Sequence, residues 1–443
     1  MSNPKFSIVI PTRNRPQTLQ YAIKSCLNQN FEDYEIIVSD NFSSPDTKNV
    51  VEKFNDDRII FVRTKQPLAM SENWDYAISQ IRGDYVILIG DDDSLLLNSL
   101  SHLDNIIDLT DERVIRWEWI LYYWPDFFMK NVAGKIFIPM SNSSIELNST
   151  EIINKVANFE LHYKTLPMLY NSAVHNSILK EIRKKNNVFF HSQAPDIYSG
   201  FVIAKSVKKY LSLNTPLSIA GLSKASNGAA QLYTKENSNI KEDFINLNEK
   251  AGLTWHSKVP SINVLPAIIA DSYYHAKDNL FPDEEDAIDY PSLIKNCMKE
   301  LSNISQIQEN DLNKIKSKCF NTTELMELIE FEYRKNMIIS KNKSKLKKII
   351  SKFFGEYLKY SNLLIFDIIE INLKSLGITN AYDVSEFLKY CHFPKDIDIT
   401  KTKSEFFLKK LNNIAEYRQF ISVSKQYVNH RDILSKANQT SSF

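Results

Sequence analysis

The sequence predicts an α/β protein with a mostly parallel sheet, helices on both faces, and a helical region at the C-terminal end. Three observations support this. Over the first hundred residues, short apolar runs alternate with segments whose apolar residues recur at helical spacing. Each apolar run stops at proline, glycine or polar residues, as buried strands do. Beyond about residue 235 the composition drifts to Lys- and Asn-rich helical sequence with few glycines.

The elements follow in order. "KFSIVI" (5–10) reads as a buried strand ended by Pro11. "QTLQYAIKSCLNQ" (17–29) places Leu19, Ala22, Ile23, Cys26 and Leu27 on one helical face. "YEIIVSD" (34–40) is the second strand. "SSPDTKNVVEKF" (43–54) opens on serine and proline and carries Val50, Val51 and Phe54 on one side of a second helix. "RIIFVRT" (58–64), "SENWDYAISQI" (71–81) and "DYVILIG" (84–90) continue as strand, helix and strand. Strands joined through helices imply right-handed crossovers, and ligands bind such sheets at the carboxyl ends of the strands. Pro11 to Arg13, Asp40 and Asp91 to Asp93 all fall at those ends.

From 113 to about 140, the aromatic segments "RVIRWEWILYYW" and "KIFIPM" predict an antiparallel pair. Residues 150–230 mix helices with apolar stretches, including "HSQAPDIYSGFVIA" (191–204) and "SLNTPLSIAGLSKASNGAA" (212–230). The expected division is an α/β domain over 1–235, a connecting helical segment over 236–299 and a separate helical domain over 300–443.

The bulk numbers narrow the class. A chain of 443 residues is too long for one typical core. Its 43% hydrophobic and 24% charged content is that of an ordinary soluble protein. The net charge of +1 argues against a dedicated nucleic-acid binder. Cys26, Cys297, Cys319 and Cys391 lie far apart without a CxxC pair, which fits a reducing compartment rather than a zinc site or disulfide framework. The N-terminus does not read as a signal peptide, and no apolar run reaches the roughly 18 to 20 residues of a membrane span. The expectation is a cytoplasmic chain, or one that meets the inner face of the membrane only at its surface.

"DYVILIGDDDSLL" (84–96) drives a buried strand into three consecutive aspartates. Their mutual repulsion is poorly screened beside apolar surface, so either a solvated turn or a bound cation accounts for them. Taken together, "FSIVIPTRNRPQTLQYAIKSCLNQNFEDYEIIVSDNFSSPDT" and "RGDYVILIGDDDSL" closely resemble the nucleotide-binding half of family 2 glycosyltransferases of the GT-A fold, of the bacterial surface-polysaccharide type. The resemblance is strong over 5–100, moderate over 101–230 and absent beyond about 260. It makes 1–100 the nucleotide-binding half and 101–235 the acceptor half.

The resemblance implies a nucleoside-diphosphate sugar donor, a uridine diphosphate sugar foremost, and Mn²⁺ or Mg²⁺ as cofactor. A divalent cation held by carboxylates neutralises the departing diphosphate. Asp91, Asp92 and Asp93 correspond to the family's Asp-x-Asp element, with Asp91 and Asp93 as expected metal ligands and Asp91 and Asp92 as donor contacts. The commoner Asp-small-Asp-Asp form would put Gly90 at the first aspartate, so the assignment among the three stays open. Asp40 corresponds to the residue that hydrogen-bonds the nucleobase. Pro11, Thr12 and Asn14 form the turn that meets base and ribose, and Arg13 is either a contact or a solvated turn residue. Ser71 and Asn73, opening the third helix, either face the nucleotide or cap the helix.

Family members carry an aspartate base for the acceptor hydroxyl about a hundred residues past the metal motif, and Asp196 in "HSQAPDIYSG" stands there. The alternative for Asp196 is a helix N-cap, and Glu151 or Glu160 are the alternative bases. In "GLSKASNG" (221–228), Lys224 either pairs the diphosphate, with Ser226 or Asn227 donating hydrogen bonds, or is simply solvated. His175, His191 and His256 are extra metal ligands or structural residues.

In "KNKSKLKKIISKFFGEYLKYSNLL" (341–364), Leu346, Ile349, Ile350, Phe353, Phe354, Tyr357 and Leu358 form a stripe flanked by lysines. That pattern suits an interfacial helix on anionic lipid, or a helix packed on its own domain. The C-terminal region could also mediate a homodimer. The function so implied is a metal-dependent inverting transfer of one sugar to a glycan or lipid-linked glycan. The alternatives are a non-catalytic binding or scaffold protein of the same fold, or a sugar-nucleotide pyrophosphorylase, which would want a glycine-rich loop after the first strand that "PTRNRPQT" lacks.

Overall fold

The computed structural model describes residues 3–140, 144–226, 238–304, 309–318, 323–340, 367–373 and 377–388. The expected opening pattern is present. Strand β1 (Phe6–Thr12) lies parallel to β2 (Tyr34–Asp40) and β4 (Tyr85–Leu88), and β2 lies parallel to β3 (Ile59–Arg63). The connections run through α1 (Pro16–Leu27), α2 (Pro45–Glu52) and α3 (Met70–Ile78). Side chains alternate across the strands, as the pleat requires. Ile8 and Ile10 pack with Leu19, Ile23 and Cys26 on one face, while Val9 packs with Trp74 and Ile78 on the other.

Past β4 come β5 (Ser94–Leu95), α4 (Ser99–Thr110), β6 (Val114–Tyr123), β7 (Lys135–Met140), β8 (Ser144–Asn148) and α5 (Ser149–Ala157). They are followed by β9 (Ser172–His175), α6 (Asn176–Asn186), α7 (Pro195–Ser206) and β10 (Lys209–Leu222). β6 and β7 pair antiparallel, as the aromatic segments predict. β10 was not legible as a strand, because Asn214 to Pro216 interrupts its apolar run. It nevertheless runs parallel to β6 along nearly its whole length, with register shifts on either side of Pro216. A bulge is where a sheet tolerates a residue lacking the N–H donor.

The C-terminal expectation needs two amendments. Helices α8 (Ser238–Lys250) and α9 (Leu265–Leu280) do more than connect, since Ala267, Ala270 and Tyr273 pack into the core that also holds Ile197 and Phe201. Helices α10 (Tyr290–Ile304), α11 (Glu309–Lys316) and α12 (Thr323–Ser340) follow, and then β11 (Asp367–Asn372) pairs antiparallel with β7 at the edge of the main sheet. Helix α13 (Ala381–Leu388) packs Ala381, Val384 and Phe387 against Ile120 and Ile136. This part of 300–443 therefore belongs to the sheet. The amphipathic segment 341–364 lies outside the described residues. Among the described residues, no helix is long and apolar enough to cross a membrane.

One charged cluster sits inside the sheet. Arg116 and Glu118 on β6 are fully buried and paired, and Lys164 places its Nζ 2.9 Å from the other Glu118 oxygen. Arg116 also donates to the Lys164 carbonyl (3.0 Å) and to Ser212 Oγ on β10 (3.0 Å). Burial would raise the Glu118 pKa, but the two cations hold it down, to about 2.

Glu118→Gln removes the charge that Arg116 and Lys164 share and should cost about 3–5 kcal/mol in denaturant unfolding. In the parent, the folded pKa lies below the unfolded value of 4.5, so this stabilisation is present above pH 4.5. It should be lost as the pH falls from there toward about 2. A variant as stable as the parent at pH 7 would show that the cluster carries no such weight.

Candidate active site

The carboxyl ends of β1, β2 and β4 and the last turn of β10 open onto one cavity of about 550 Å³. Pro11, Thr12, Arg13 and Asn14 line it from the β1–α1 turn, and Gly90, Asp91 and Asp92 line it from the end of β4. Asp196 reaches it from the first turn of α7. Asn14 holds a positive φ of 55°, a conformation that Asn tolerates, and its Oδ1 accepts from the Ser44 N–H at 2.9 Å.

All three aspartates are buried, at 2%, 5% and 2% exposure, so each carboxylate needs a partner. Asp91 accepts from Thr12 Oγ1 (2.7 Å) and pairs with the Arg15 guanidinium (3.0 Å). Asp92 accepts from Ser223 Oγ (2.7 Å), and burial, with the neighbouring Asp91 charge, pushes its pKa up to about 6 against the pull of Arg15. Asp93 turns the other way. It accepts from the Gly90 N–H (2.6 Å) and the Gly221 N–H (2.7 Å), bonds Tyr170, and does not line the cavity. Burial and the Asp92 charge push its pKa up to about 7. Of the two expected metal ligands, then, Asp91 faces the cavity and Asp93 does not, because backbone donors on both sides hold its carboxylate. The solvated turn is excluded by the burial alone.

The other expected residues divide. Asn73 lines the cavity, and its Oδ1 accepts from Ser39 Oγ at 2.9 Å. Ser71 does not line it: its hydroxyl donates to the Ser192 carbonyl, and the helix cap is Ala69, whose N–H is bound by Glu72. Asp40 is fully buried behind the cavity wall, accepting from the Ser43 N–H (2.9 Å) with its second oxygen 3.1 Å from Arg63, while the adjacent Asn41 reaches the cavity. Arg13 lines the cavity and pairs with Asp243 of α8 at 3.0 Å. Lys224 is exposed outside it, although Ala225 and Ser226 line it; Asn227 lies outside the described residues.

His175, His191 and His256 do not line the cavity either. His175 caps α6, and His256 stacks on Tyr274 with its Nε2 2.9 Å from Asp278. The alternative bases Glu151 and Glu160 are also away from it: Glu151 pairs with Lys155 on the surface of α5. Asp196 makes no ion pair among the described residues, and burial raises its pKa against the opposing N–H groups of Ile197 and Asp196.

Sequence reasoning missed several cavity residues. Arg15 is the chief one: it is the N-cap residue of α1, pairs with Asp91 and donates to the Ala225 carbonyl. Burial works against its charge, but Asp91 and Asp92 raise its pKa above the usual value. A signal existed, since caps favour Ser, Thr, Asp or Asn and a cation at a helix start opposes the dipole. Trp119, Tyr163 and Tyr170, with Phe244 from α8, were missed for want of any motif.

Comparison with known proteins fits this geometry. Residues 7–164, which include every strand end around the aspartates except that of β10, match glycosyl transferase family 2. The chain is 45% identical over 103 residues to the GalNAc(5)-diNAcBac-PP-undecaprenol beta-1,3-glucosyltransferase of Campylobacter jejuni, covering 23% of this chain and 33% of that one. It is 27% identical over 96 residues to the UDP-Glc:alpha-D-GlcNAc-diphosphoundecaprenol beta-1,3-glucosyltransferase of Escherichia coli, covering 22% and 38%. The aligned part thus spans about a third of the length of these relatives. Among solved structures, S. aureus TarS 1–349 in complex with UDP-GlcNAc aligns at a TM-score of 0.43 and 16% identity, covering 75% of this chain and 90% of that one.

A Cβ at Gly221 would stand 1.9 Å from the Asp92 carbonyl oxygen, so no side chain fits there. Gly221→Ala should cost about 2–3 kcal/mol in urea unfolding, whereas Ser223→Ala, which removes hydrogen bonds only, should cost about 1 kcal/mol. Equal losses would mean that the close approach of β10 to the aspartate turn is not what fixes the site.

Proposed function

We propose that the protein is a metal-dependent, inverting glycosyltransferase of bacterial surface-polysaccharide assembly. It moves one sugar from a nucleoside-diphosphate donor, a uridine diphosphate sugar foremost, to a glycan or lipid-linked glycan at the cytoplasmic face of the membrane. The observation that carries this reading is that Asp91, Asp92 and Asp196, more than a hundred residues apart in the chain, line one cavity at the carboxyl edge of the sheet. Both relatives described above carry an undecaprenol-linked glycan in their names, which favours a lipid-linked acceptor.

The donor set suits Mn²⁺ or Mg²⁺. Two adjacent carboxylates share a single guanidinium, and burial together with the Asp91 charge pushes the Asp92 pKa up. Among the described residues, no three acidic, His or Cys side chains form a metal cluster. That agrees with a hard cation held by one or two carboxylates and completed by substrate phosphates. Asp91 and Asp92 would hold it, where it would supply charge neutralisation at the diphosphate.

The chain's own groups account for the rest. The Asp196 carboxylate takes the proton of the acceptor hydroxyl as its oxygen attacks the anomeric carbon. The bond to the diphosphate oxygen breaks on the opposite face, so the configuration inverts. Burial raises the pKa of Asp196, which makes its carboxylate a stronger base than an ordinary aspartate. Arg15, fixed beside Asp91, and Arg13 at the mouth place positive charge where the leaving diphosphate gathers negative charge.

Asp196→Asn should leave nucleotide binding intact and lower turnover by about 10²- to 10⁴-fold. The binding arm is a thermal shift with nucleoside diphosphates, expected with Mn²⁺ or Mg²⁺ and abolished by EDTA. Unchanged turnover would remove Asp196 from the role of base. The lack of any nucleotide-dependent shift would remove the transferase reading itself.

A further inference from the structure

Beyond the aspartates the cavity changes character. Trp74, Trp119, Tyr123, Tyr163, Tyr170 and Phe244 line it, with Leu247, Leu265 and Ile268 filling between them. Tyr163 lies in a short helical turn, and Phe244, Leu247, Leu265 and Ile268 come from helices α8 and α9. The wall is held from behind. Tyr163 stacks on His162 at 4.5 Å, and the next residue, Lys164, is anchored through the buried Arg116–Glu118 pair. Trp119 meets Tyr170 edge to face at 5.8 Å.

Charge is distributed unevenly as well. Among the described residues that line the cavity, the cations are Arg13 and Arg15, each paired with a carboxylate, against Asp91, Asp92, Asp196 and Asp243. Burial pushes the His162 pKa down to about 3, so it adds no positive charge at neutral pH. Among the described residues the aromatic lining therefore offers no cation to an acidic ligand, and the field of their carboxylates disfavours one. What it offers is ring surface, the tyrosine hydroxyls and the amide of Gln193, which both donates and accepts.

We infer that this aromatic end is a binding subsite for an uncharged sugar residue, whose C–H face packs on Tyr163 and Phe244 while its hydroxyls reach Gln193 and Asp196. Apolar pockets carrying a few polar groups that fix orientation are the usual form of such sites. Calling it the acceptor subsite rests on the transferase reading. The binding of a neutral sugar does not. On this assignment the acceptor's terminal sugar is a neutral hexose or N-acetylhexosamine rather than a uronic acid or a phosphorylated sugar.

Saturation-transfer NMR with the full chain tests this without requiring turnover. The probes are methyl β-glucoside, methyl N-acetyl-β-glucosaminide and methyl β-glucuronide. At least one neutral glycoside should bind, and the glucuronide should bind at least about tenfold more weakly. Phe244→Ala and Tyr163→Ala should each weaken the neutral glycoside by about tenfold and leave nucleoside-diphosphate affinity unchanged. They lie on separate elements, and Phe244 is only half-buried on α8, so one variant can be read if the other does not fold. Glucuronide binding as tight as that of the neutral sugars, or no loss in a folded variant, would overturn the assignment. A neutral glycoside that binds as described while no nucleoside diphosphate binds would uphold the subsite and sink the transferase reading instead.

Discussion

The buried carboxylate of Asp93 is the constraint on which the site depends. It takes backbone N–H donors from Gly90 and Gly221, the first beside it in the chain and the second at the far end of β10. A carboxylate at 2% exposure is costly unless such bonds are made, so the two strand ends are held together by a group that cannot be left alone. With that turn fixed, Asp91 and Asp92 have only the cavity to face. Trp124 adds a second tie by donating from Nε1 to the Asp92 carbonyl at 3.0 Å. The absence of a side chain at Gly221 is what allows the approach.

The first hundred residues were legible because their elements are amphipathic at a single period and bounded by strong punctuation. Pro16 and Pro45 open α1 and α2, and β1, β2 and β4 are buried from end to end. A strand buried on both faces leaves little doubt about its place in a sheet. The placement of Pro11 to Arg13, Asp40 and Asp91 to Asp93 at the carboxyl edge followed from this. Asp196 did not follow from it: nothing local distinguishes that residue from an ordinary first-turn acid, and only the resemblance singled it out.

What sequence reading missed has physical causes. β10 and β11 pair with strands far away in the chain, and no local period records such pairing. The triplet could be read as a site but not sorted, because the side each aspartate faces depends on Gly221, 128 residues distant. Ser71 looked like a cap but sits inside the helix, where its hydroxyl is drawn to the Ser192 carbonyl. Arg15 was overlooked although its position was itself a misfit. A guanidinium at a helix start is unfavourable in isolation, and the arrangement holds because Asp91 supplies the opposite charge 3.0 Å away. A local rule broken in this way points to a site.

The same opposition of forces explains why Asp196 stands where it does. At the first turn of a helix the N–H groups favour a carboxylate, and those of Asp196 and Ile197 do so here. Burial among Ile197, Tyr198 and the aromatic wall works the other way and prevails, so the group keeps a raised pKa without any cationic partner among the described residues. A paired aspartate, such as Asp91 beside Arg15, serves to hold charge. Asp196, which lines the cavity without an ion pair among the described residues, is the carboxylate proposed to take the acceptor's proton. The cavity thus holds a carboxylate paired with a guanidinium and another whose pKa burial raises, and the proposed reading gives them charge binding and proton transfer respectively.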